Sequence, residues 1–151
     1  MQKNSKMVKN VPAVGVRADR KDAALFDSAV PVFFKGRKGK VKCAAFVELA
    51  DTPERQRVGL SKRASLGKMS GMVFSCTGPF WMKDVEFPLD LVFTDDSGRI
   101  LEKTAMAVDK EGKTLYPSSV DGSTHAVELP YGFCDRHGIE VGDTITADGE
   151  E

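Results

Sequence analysis

The side chains that are best suited to bind a ligand lie in one short stretch, Phe80-Trp81-Met82-Lys83. Its alternation predicts a strand over residues 79–83 that buries Phe80 and Met82 and presents Trp81 and Lys83 on the other face. An indole face beside a cation suits an anionic or sugar-like ligand. The competing interpretation makes Trp81 one large core residue and Lys83 the partner of an acid, because tryptophan contributes to cores through its large area.

Three carboxylates, Asp84, Glu86 and Asp90, follow this stretch closely. Such a group can perform acid–base chemistry on a glycosidic bond or hold a hard cation. The plainer interpretation leaves Asp84 and Glu86 solvated and gives Asp90 hydrogen bonds to a nearby backbone turn. Of two arginines on a predicted helix, Arg55 and Arg57, one is expected to reach a carboxylate inside the fold. The predicted ligand-binding set is Trp81, Lys83, Asp84, Asp90 and Arg57.

Cysteine and histidine spacing gives weaker signals. Cys134 and His137 have the spacing of half a zinc site, but Cys43, Cys76 and His125 are scattered, and a tetrahedral site needs four converging ligands. A cysteine nucleophile with either histidine lacks an activating context. The chain also has no GxSxG, Walker or HExxH motif. We therefore predict no catalytic residue, metal or cofactor, and lean towards a protein that is not an enzyme.

The charges are unevenly distributed along the 151 residues, although 22 basic and 22 acidic residues cancel. Met1–Lys42 has 11 basic and 3 acidic residues, a net charge of +8, and Cys43–Glu151 carries −8. Such asymmetry is typical of an interaction tail. The densest cationic run predicts contact with a polyanion or an acidic protein surface: Lys35, Arg37, Lys38, Lys40 and Lys42.

Turn residues and alternation predict the elements that must position these side chains. Many short strands indicate a mainly β sandwich or barrel-like domain over residues 43–147, with one or two short helices. A basic arm (1–42) precedes it and a frayed tail (148–151) follows. The predicted helices cover 19–28, a segment from Pro53 to about Gly59 or Ser61, and 131–137. The predicted strands cover 30–34 (an edge strand or extended arm), 41–49, 71–75, 79–83, 89–94, the return strand to 107, 124–129 and 144–147.

Several segments resemble one family in the same order along the chain. They are Glu48–Leu60, Gly71–Phe74, Phe80–Asp84, Pro88–Phe93, Val127–Leu129 and Gly138–Asp143. Together they are similar to the small bacterial and archaeal family called domain of unknown function 192, over about residues 42–146. The resemblance implies a compact, mainly β fold and no established activity. The chain departs from the family pattern at Ser61, where methionine is usual, and at Asp84-Val85, where Asn-Thr is usual.

Three functions follow as hypotheses. The first is a non-enzymatic assembly module, a subunit of a larger particle such as a virion, whose basic arm packs on acidic surfaces of neighbouring chains in a homo- or hetero-oligomer. The second is a carbohydrate-like ligand-binding or hydrolytic domain with a pocket around Trp81. The third is a nucleic-acid accessory protein that acts through the arm. An odd cysteine count and no run of about 20 apolar residues predict a cytoplasmic protein, free or in a particle assembled there, without membrane contact.

Overall fold

The computed structural model of the chain describes residues 29–151. Within them the chain forms one seven-stranded sheet and two short helices, which confirms the mainly β fold class. The elements are β1 (Val30–Lys35), β2 (Val41–Ala50), α1 (Pro53–Val58), β3 (Ser70–Phe74), β4 (Leu89–Thr94), β5 (Ile100–Met106), β6 (His125–Pro130), α2 (Phe133–His137) and β7 (Thr144–Thr146). The predicted helix over 19–28, like residues 1–28 of the predicted arm, lies outside the described residues.

The sheet has the strand order β5-β4-β6-β3-β2-β1-β7 and is antiparallel except between β2 and β3. It curls into a barrel-like form in which the two outer strands meet. Ile145 N donates to Gly98 O at 2.8 Å, and Ile100 N donates to Asp143 O at 2.8 Å. Parallel neighbours require a crossover, so the segment between β2 and β3, which contains α1, has to pass over one face of the sheet.

Apolar side chains cover both faces of this sheet because successive residues of a strand point to opposite sides. The inner cluster draws on every strand and includes Phe133 and Cys134 of α2. The outer cluster lies on the other face, against the connecting segments that carry Leu60, Phe80 and Met82. The outer face of β3, β4 and β6 is therefore a packed wall. No helix in the described part of the chain has the length and apolar composition needed to cross a membrane.

β1 is an interior strand and not the edge strand or extended arm that Pro31 predicts. It pairs with β2 along its length and with β7 over its last three residues. Phe46, opposite Pro31, donates its N–H to Met69 O at 2.7 Å, away from β1. The Pro31–Phe46 pair exchanges no hydrogen bond, and β7 does not extend to this position. The sheet therefore loses no hydrogen bond through the N–H group that proline lacks.

The basic run belongs to the hairpin that joins β1 to β2. Lys42 Nζ lies 2.7 Å from Oδ2 of the buried Asp143, and Arg37 donates to Val141 O at 3.1 Å. The change in composition near residue 42 therefore does not coincide with a structural boundary, since residues 30–42 are part of the sheet. Lys42 and Arg37 make these contacts within the same chain because the hairpin lies beside the turn before β7.

The C-terminal residues are held against the same hairpin and are not frayed. Lys35 Nζ donates to the carbonyl of Glu150, and Glu151 Oε2 accepts from Val41 N at 2.7 Å. Gly149 packs on the Phe33 ring. Hydrogen bonds to the hairpin thus hold the C-terminal residues within the fold.

The predicted strand over residues 79–83 does not form. Phe80 makes one isolated bridge with Tyr116, and the chain turns at Lys83 and Asp84. The alternation nevertheless holds, since Phe80 and Met82 are buried and the residues that follow each are exposed. The sequence pattern reported the orientation of the side chains correctly, but the segment has no neighbouring strand with which to pair.

Candidate functional site

Helix α1 begins and ends where its sequence predicts. The Thr52 hydroxyl accepts from Arg55 N at 3.2 Å, Pro53 occupies the first turn, and Gly59 ends the helix with a φ of 50°. Asn, Asp, Ser and Thr are favoured at the first position because the side chain satisfies an otherwise unpaired N–H. Gln56 then fixes the helix to β2 and β3, through Ala50 O at 3.1 Å and the Ser75 hydroxyl at 3.2 Å. One edge of a pocket is thereby set.

The pocket lies between α1, the outer face of the sheet and the segment around Trp81. Its volume is about 330 Å³, at the small end of the range for ligand sites. Its buried end is mostly apolar and its outer rim carries exposed polar and aromatic side chains. It is lined by Gln56, Arg57, Val58, Gly59, Leu60, Phe74, Cys76, Gly78, Pro79, Phe80, Trp81, Lys83, Val85 and Glu128.

Trp81 forms part of the rim and is not a core residue. Its side chain is 45% exposed, and Lys83 Nζ lies 5.4 Å from the ring centroid. Gly112 lies close to both residues: a Cβ there would be 2.8 Å from Lys83 Cβ and 3.1 Å from Trp81 Cε3. A residue with any side chain would displace one of these groups. The indole is therefore held at the rim by close backbone contact.

Glu128 is the only carboxylate in the pocket lining among the described residues, and sequence analysis missed it as a site residue. It lies on β6 and is 4% exposed, and no hydrogen bond to its carboxyl group is formed within residues 29–151. Burial raises its pKa to about 8, so the acid is mostly protonated at neutral pH. The sequence contained one indication of this position. Glu128 stands between Val127 and Leu129 on a predicted strand, so alternation places its side chain on the same sheet face as that of Ala126.

A second buried glutamate on the same face has a different environment. Glu48 and Glu128 both flank Met72, on β2 and β6 respectively. Arg63 donates two hydrogen bonds of 2.8 Å to the Glu48 carboxylate in a bidentate ion pair. The arginine that reaches a carboxylate inside the fold is therefore Arg63, and not Arg55 or Arg57 as predicted.

The two arginines of α1 have separate roles. Arg55 pairs with the exposed Asp51 at 3.1 Å, four residues earlier. Arg57 is exposed and lines the pocket with Lys83 and Trp81. The structure thus brings together three of the five predicted ligand-binding residues.

The two aspartates of the predicted set lie elsewhere. Asp84 has a positive φ of 61° in a backbone turn, and its N–H donates to Lys110 O at 3.0 Å. Its neighbour Glu86 pairs with Lys110 on the surface. Asp90 accepts from Gly132 N (3.2 Å) and Cys134 N (2.9 Å) and so caps α2. Asp90 thus accepts hydrogen bonds from backbone N–H groups, as predicted. These groups belong to the start of a helix about 42 residues later and not to a nearby turn.

Cysteine and histidine side chains do not converge. No group of three or more His, Cys, Asp or Glu residues with metal-binding geometry exists among residues 29–151. The His137 ring packs on Phe133 at 4.6 Å, and burial raises the pKa of the Cys134 thiol to about 12. Burial also raises the pKa of Cys76, with a smaller contribution from Glu128. A protonated, half-buried thiol is a poor nucleophile.

Comparison with known proteins gives a family and a fold. The family model DUF192, described as "Uncharacterized ACR, COG1430", matches residues 35–147. A protein of unknown function from Novosphingobium aromaticivorans DSM 12444 has a similar structure, with a TM-score of 0.73 and 28% identity over 91% of this chain and 94% of that one. A proposed transcription regulator from Sinorhizobium meliloti 1021 gives a TM-score of 0.68 and 28% identity over 76% and 90% of the two chains. Curated proteins give no match.

Proposed function

We propose a function from the pocket, because the chain belongs to the DUF192 family and that family's description assigns no activity. The domain binds a small, carbohydrate-like ligand that carries a negative charge. The ligand would lie on the Trp81 indole. Its anionic group would face Arg57 and Lys83, and its uncharged polar part would extend towards Glu128. The single observation that supports this proposal is the composition of the pocket, which combines an exposed indole, two cations and a buried, unpartnered carboxyl group.

Each part of the lining matches one part of such a ligand. Sugar rings offer an apolar face to an aromatic ring and a rim of hydroxyl groups to polar partners. Aromatic residues with a few well-placed polar groups are the usual composition of a small-molecule site. The two cations lie on the exposed side, where a charged ligand group can keep part of its hydration. The pocket is therefore suited to bind a ligand whose charged end remains exposed to solvent.

The lining favours binding over hydrolysis. Glycoside hydrolysis uses a pair of carboxyl groups about 5 to 10 Å apart. Glu128 has no such companion in the pocket lining that residues 29–151 form, because Asp84 and Asp90 make their contacts elsewhere. We therefore propose a binding domain without hydrolytic chemistry.

The experiment is a calorimetric titration of the full chain with D-glucuronate, D-glucose and D-galacturonate. We expect saturable binding of at least one acidic sugar, weakened about tenfold by Trp81→Ala, since loss of an aromatic contact costs roughly 1.5 kcal/mol. Tyr131→Ala is the matched control, because Tyr131 is a similarly exposed aromatic residue outside this pocket. Equal affinity in the Trp81 variant, or no binding of any of the three sugars, would contradict the proposal.

The assembly hypothesis remains a second candidate, with one supporting observation. Lys38 and Lys40 are exposed at the tip of the hairpin, and neither side chain makes an ion pair or hydrogen bond with any part of the chain that the structure describes. Light scattering of the full chain against Lys38→Glu/Lys40→Glu and against a deletion of residues 1–28 tests it. A loss of self-association in either variant supports assembly. A monomer in all three excludes self-association, and a salt-dependent shift of labelled RNA would instead favour the nucleic-acid alternative.

A further inference from the structure

The carboxyl group of Glu128 faces the buried end of the pocket and accepts no hydrogen bond from residues 29–151. The surrounding residues at that end are apolar: Leu60, Phe74, Phe80 and Val85. A buried polar group without a hydrogen bond is costly, and in native structures such groups are usually satisfied by protein, water or ligand. A bound molecule that reaches this end can therefore satisfy the carboxyl group by presenting a hydrogen-bonding atom to it.

We propose that Glu128 acts as a neutral carboxylic acid that donates its O–H to an uncharged oxygen of the ligand, so that the pocket selects sugar acids and related hydroxy acids over amines. This inference rests on the proposed function and specifies the ligand class for the same site. A hydroxyl or carbonyl oxygen would accept the proton at the buried end. The ligand's own carboxylate would remain at the rim, beside Arg57 and Lys83.

The groups that face Glu128 favour the neutral form. The cross-strand neighbours on β3 and β4 are Met72 and Leu91, which are apolar. The nearest carboxylate on the same sheet face, Glu48, is neutralised by its arginine. Cys76 is a protonated thiol, and the two rim cations are exposed to solvent, where water screens their charge. Burial is accordingly the cause that raises the Glu128 pKa.

An amine ligand is the alternative, because an ionised carboxylate would pair with an ammonium group. Such a ligand has to pass two rim cations of the same sign and to remove the proton from Glu128 as it binds. A hydroxy acid meets neither obstacle. The two ligand classes have different pH profiles, because a hydroxy acid binds best at pH 6.5, whereas an amine needs both an ionised Glu128 and its own proton.

The test follows the fluorescence of Trp81, the only tryptophan of the chain, during titration with D-glucuronate and D-glucosamine between pH 6.5 and 9.5. If only the protonated acid binds, apparent affinity for glucuronate falls with the protonated fraction. With a pKa of about 8, that fraction declines roughly 30-fold over this pH range. Glu128→Gln keeps an N–H donor and cannot ionise. The affinity of this variant for glucuronate should therefore stay within about threefold of its own value at pH 6.5 over the whole pH range. Its pH-independent profile also shows that other titrating groups do not cause the loss.

The outcomes separate the inference from the function on which it rests. Glucuronate binding that is independent of pH in the natural chain overturns the neutral-acid role and leaves the pocket intact. Tighter binding of glucosamine than of glucuronate, with proton release, overturns it in favour of amines. Failure of every probe to change Trp81 fluorescence or to give binding heat removes the proposed function and this inference together. A melting curve of Glu128→Gln by circular dichroism confirms that the variant is folded.

Discussion

The buried carboxyl group of Glu128 should make the stability of this protein fall as the pH rises, and replacing it with glutamine should remove that loss. Two protonation equilibria of Glu128 determine this dependence, one in the folded chain and one in the unfolded chain. In the folded chain burial raises the pKa to about 8 from an ordinary value of 4.5. In the unfolded chain the ordinary value applies. Between these values the folded state holds a proton that the unfolded state has released.

The sign follows from linkage. Stability falls with rising pH wherever the folded state binds more protons than the unfolded state. The contribution of Glu128 is therefore fully present below pH 4.5 and is lost as the pH passes through 8. One pKa unit corresponds to about 1.4 kcal/mol, so integration between pH 5 and pH 9 gives a loss of roughly 4 kcal/mol.

Urea unfolding at several pH values, followed by far-ultraviolet circular dichroism, measures this loss. We compare the natural chain with Glu128→Gln, which replaces a neutral acid by a neutral amide of the same shape. The two should have similar free energies of unfolding at pH 5. At pH 9 the variant should be more stable by about 4 kcal/mol, which separates the urea midpoints by about 2 M at a slope of roughly 2 kcal/mol/M.

Glu111→Gln is the matched control. Glu111 is 75% exposed and pairs with the exposed Lys113, so the same chemical change should alter stability by less than about 0.5 kcal/mol at every pH. The difference between the Glu128 variant and the natural chain isolates one group, since all other titrations are common to both. If that difference is constant from pH 5 to pH 9, Glu128 titrates normally and the reasoning is refuted.

Three further changes test other parts of the structure. Gly112→Ala should shift the emission of Trp81 and weaken ligand binding, while Gly138→Ala, at a similar positive φ but with no atom within 4 Å of the added Cβ, should cost only about 1 kcal/mol of stability and leave the emission unchanged. Asp90→Ala leaves two N–H groups at the start of α2 unsatisfied and should lower the unfolding free energy by about 2–3 kcal/mol, against a smaller loss in Asp90→Asn, by urea titration. Arg63→Met leaves its buried glutamate unpaired and should cost about 3–5 kcal/mol by the same assay, and a loss below 1 kcal/mol would show that the pair is not a stabilising contact.

Local signals in the sequence predicted local structure well. The hairpin from Leu89 to Met106 is paired as predicted around its turn, because Asp95 Oδ1 accepts from the Ser97 and Arg99 N–H groups. Helix α1 was predictable for the same reason, since its cap and first-turn proline act within a few residues. In each case the stabilising contacts lie close together in the sequence.

Long-range contacts were not predictable in the same way. Asp90 looked like a turn residue, but its hydrogen-bond partners lie at positions 132 and 134. The charge difference near residue 42 suggested a separate arm, whereas Lys42 pairs with a carboxylate 101 residues later. Composition shows which groups are available. It does not show which distant element will supply the partner, because that depends on strand order.

Glu48 and Glu128 differ in whether the fold supplies a partner for the carboxyl group. Both are glutamates on the same sheet face, each beside Met72, and both are almost fully buried. Arg63 satisfies the first with two hydrogen bonds, while the second faces a pocket. A leucine at position 128 would remove the cost of burying the second carboxyl group, which is roughly 1–3 kcal/mol. Because the fold gains nothing evident from an unpartnered acid at that position, its use is best sought in whatever molecule enters the pocket and accepts its proton.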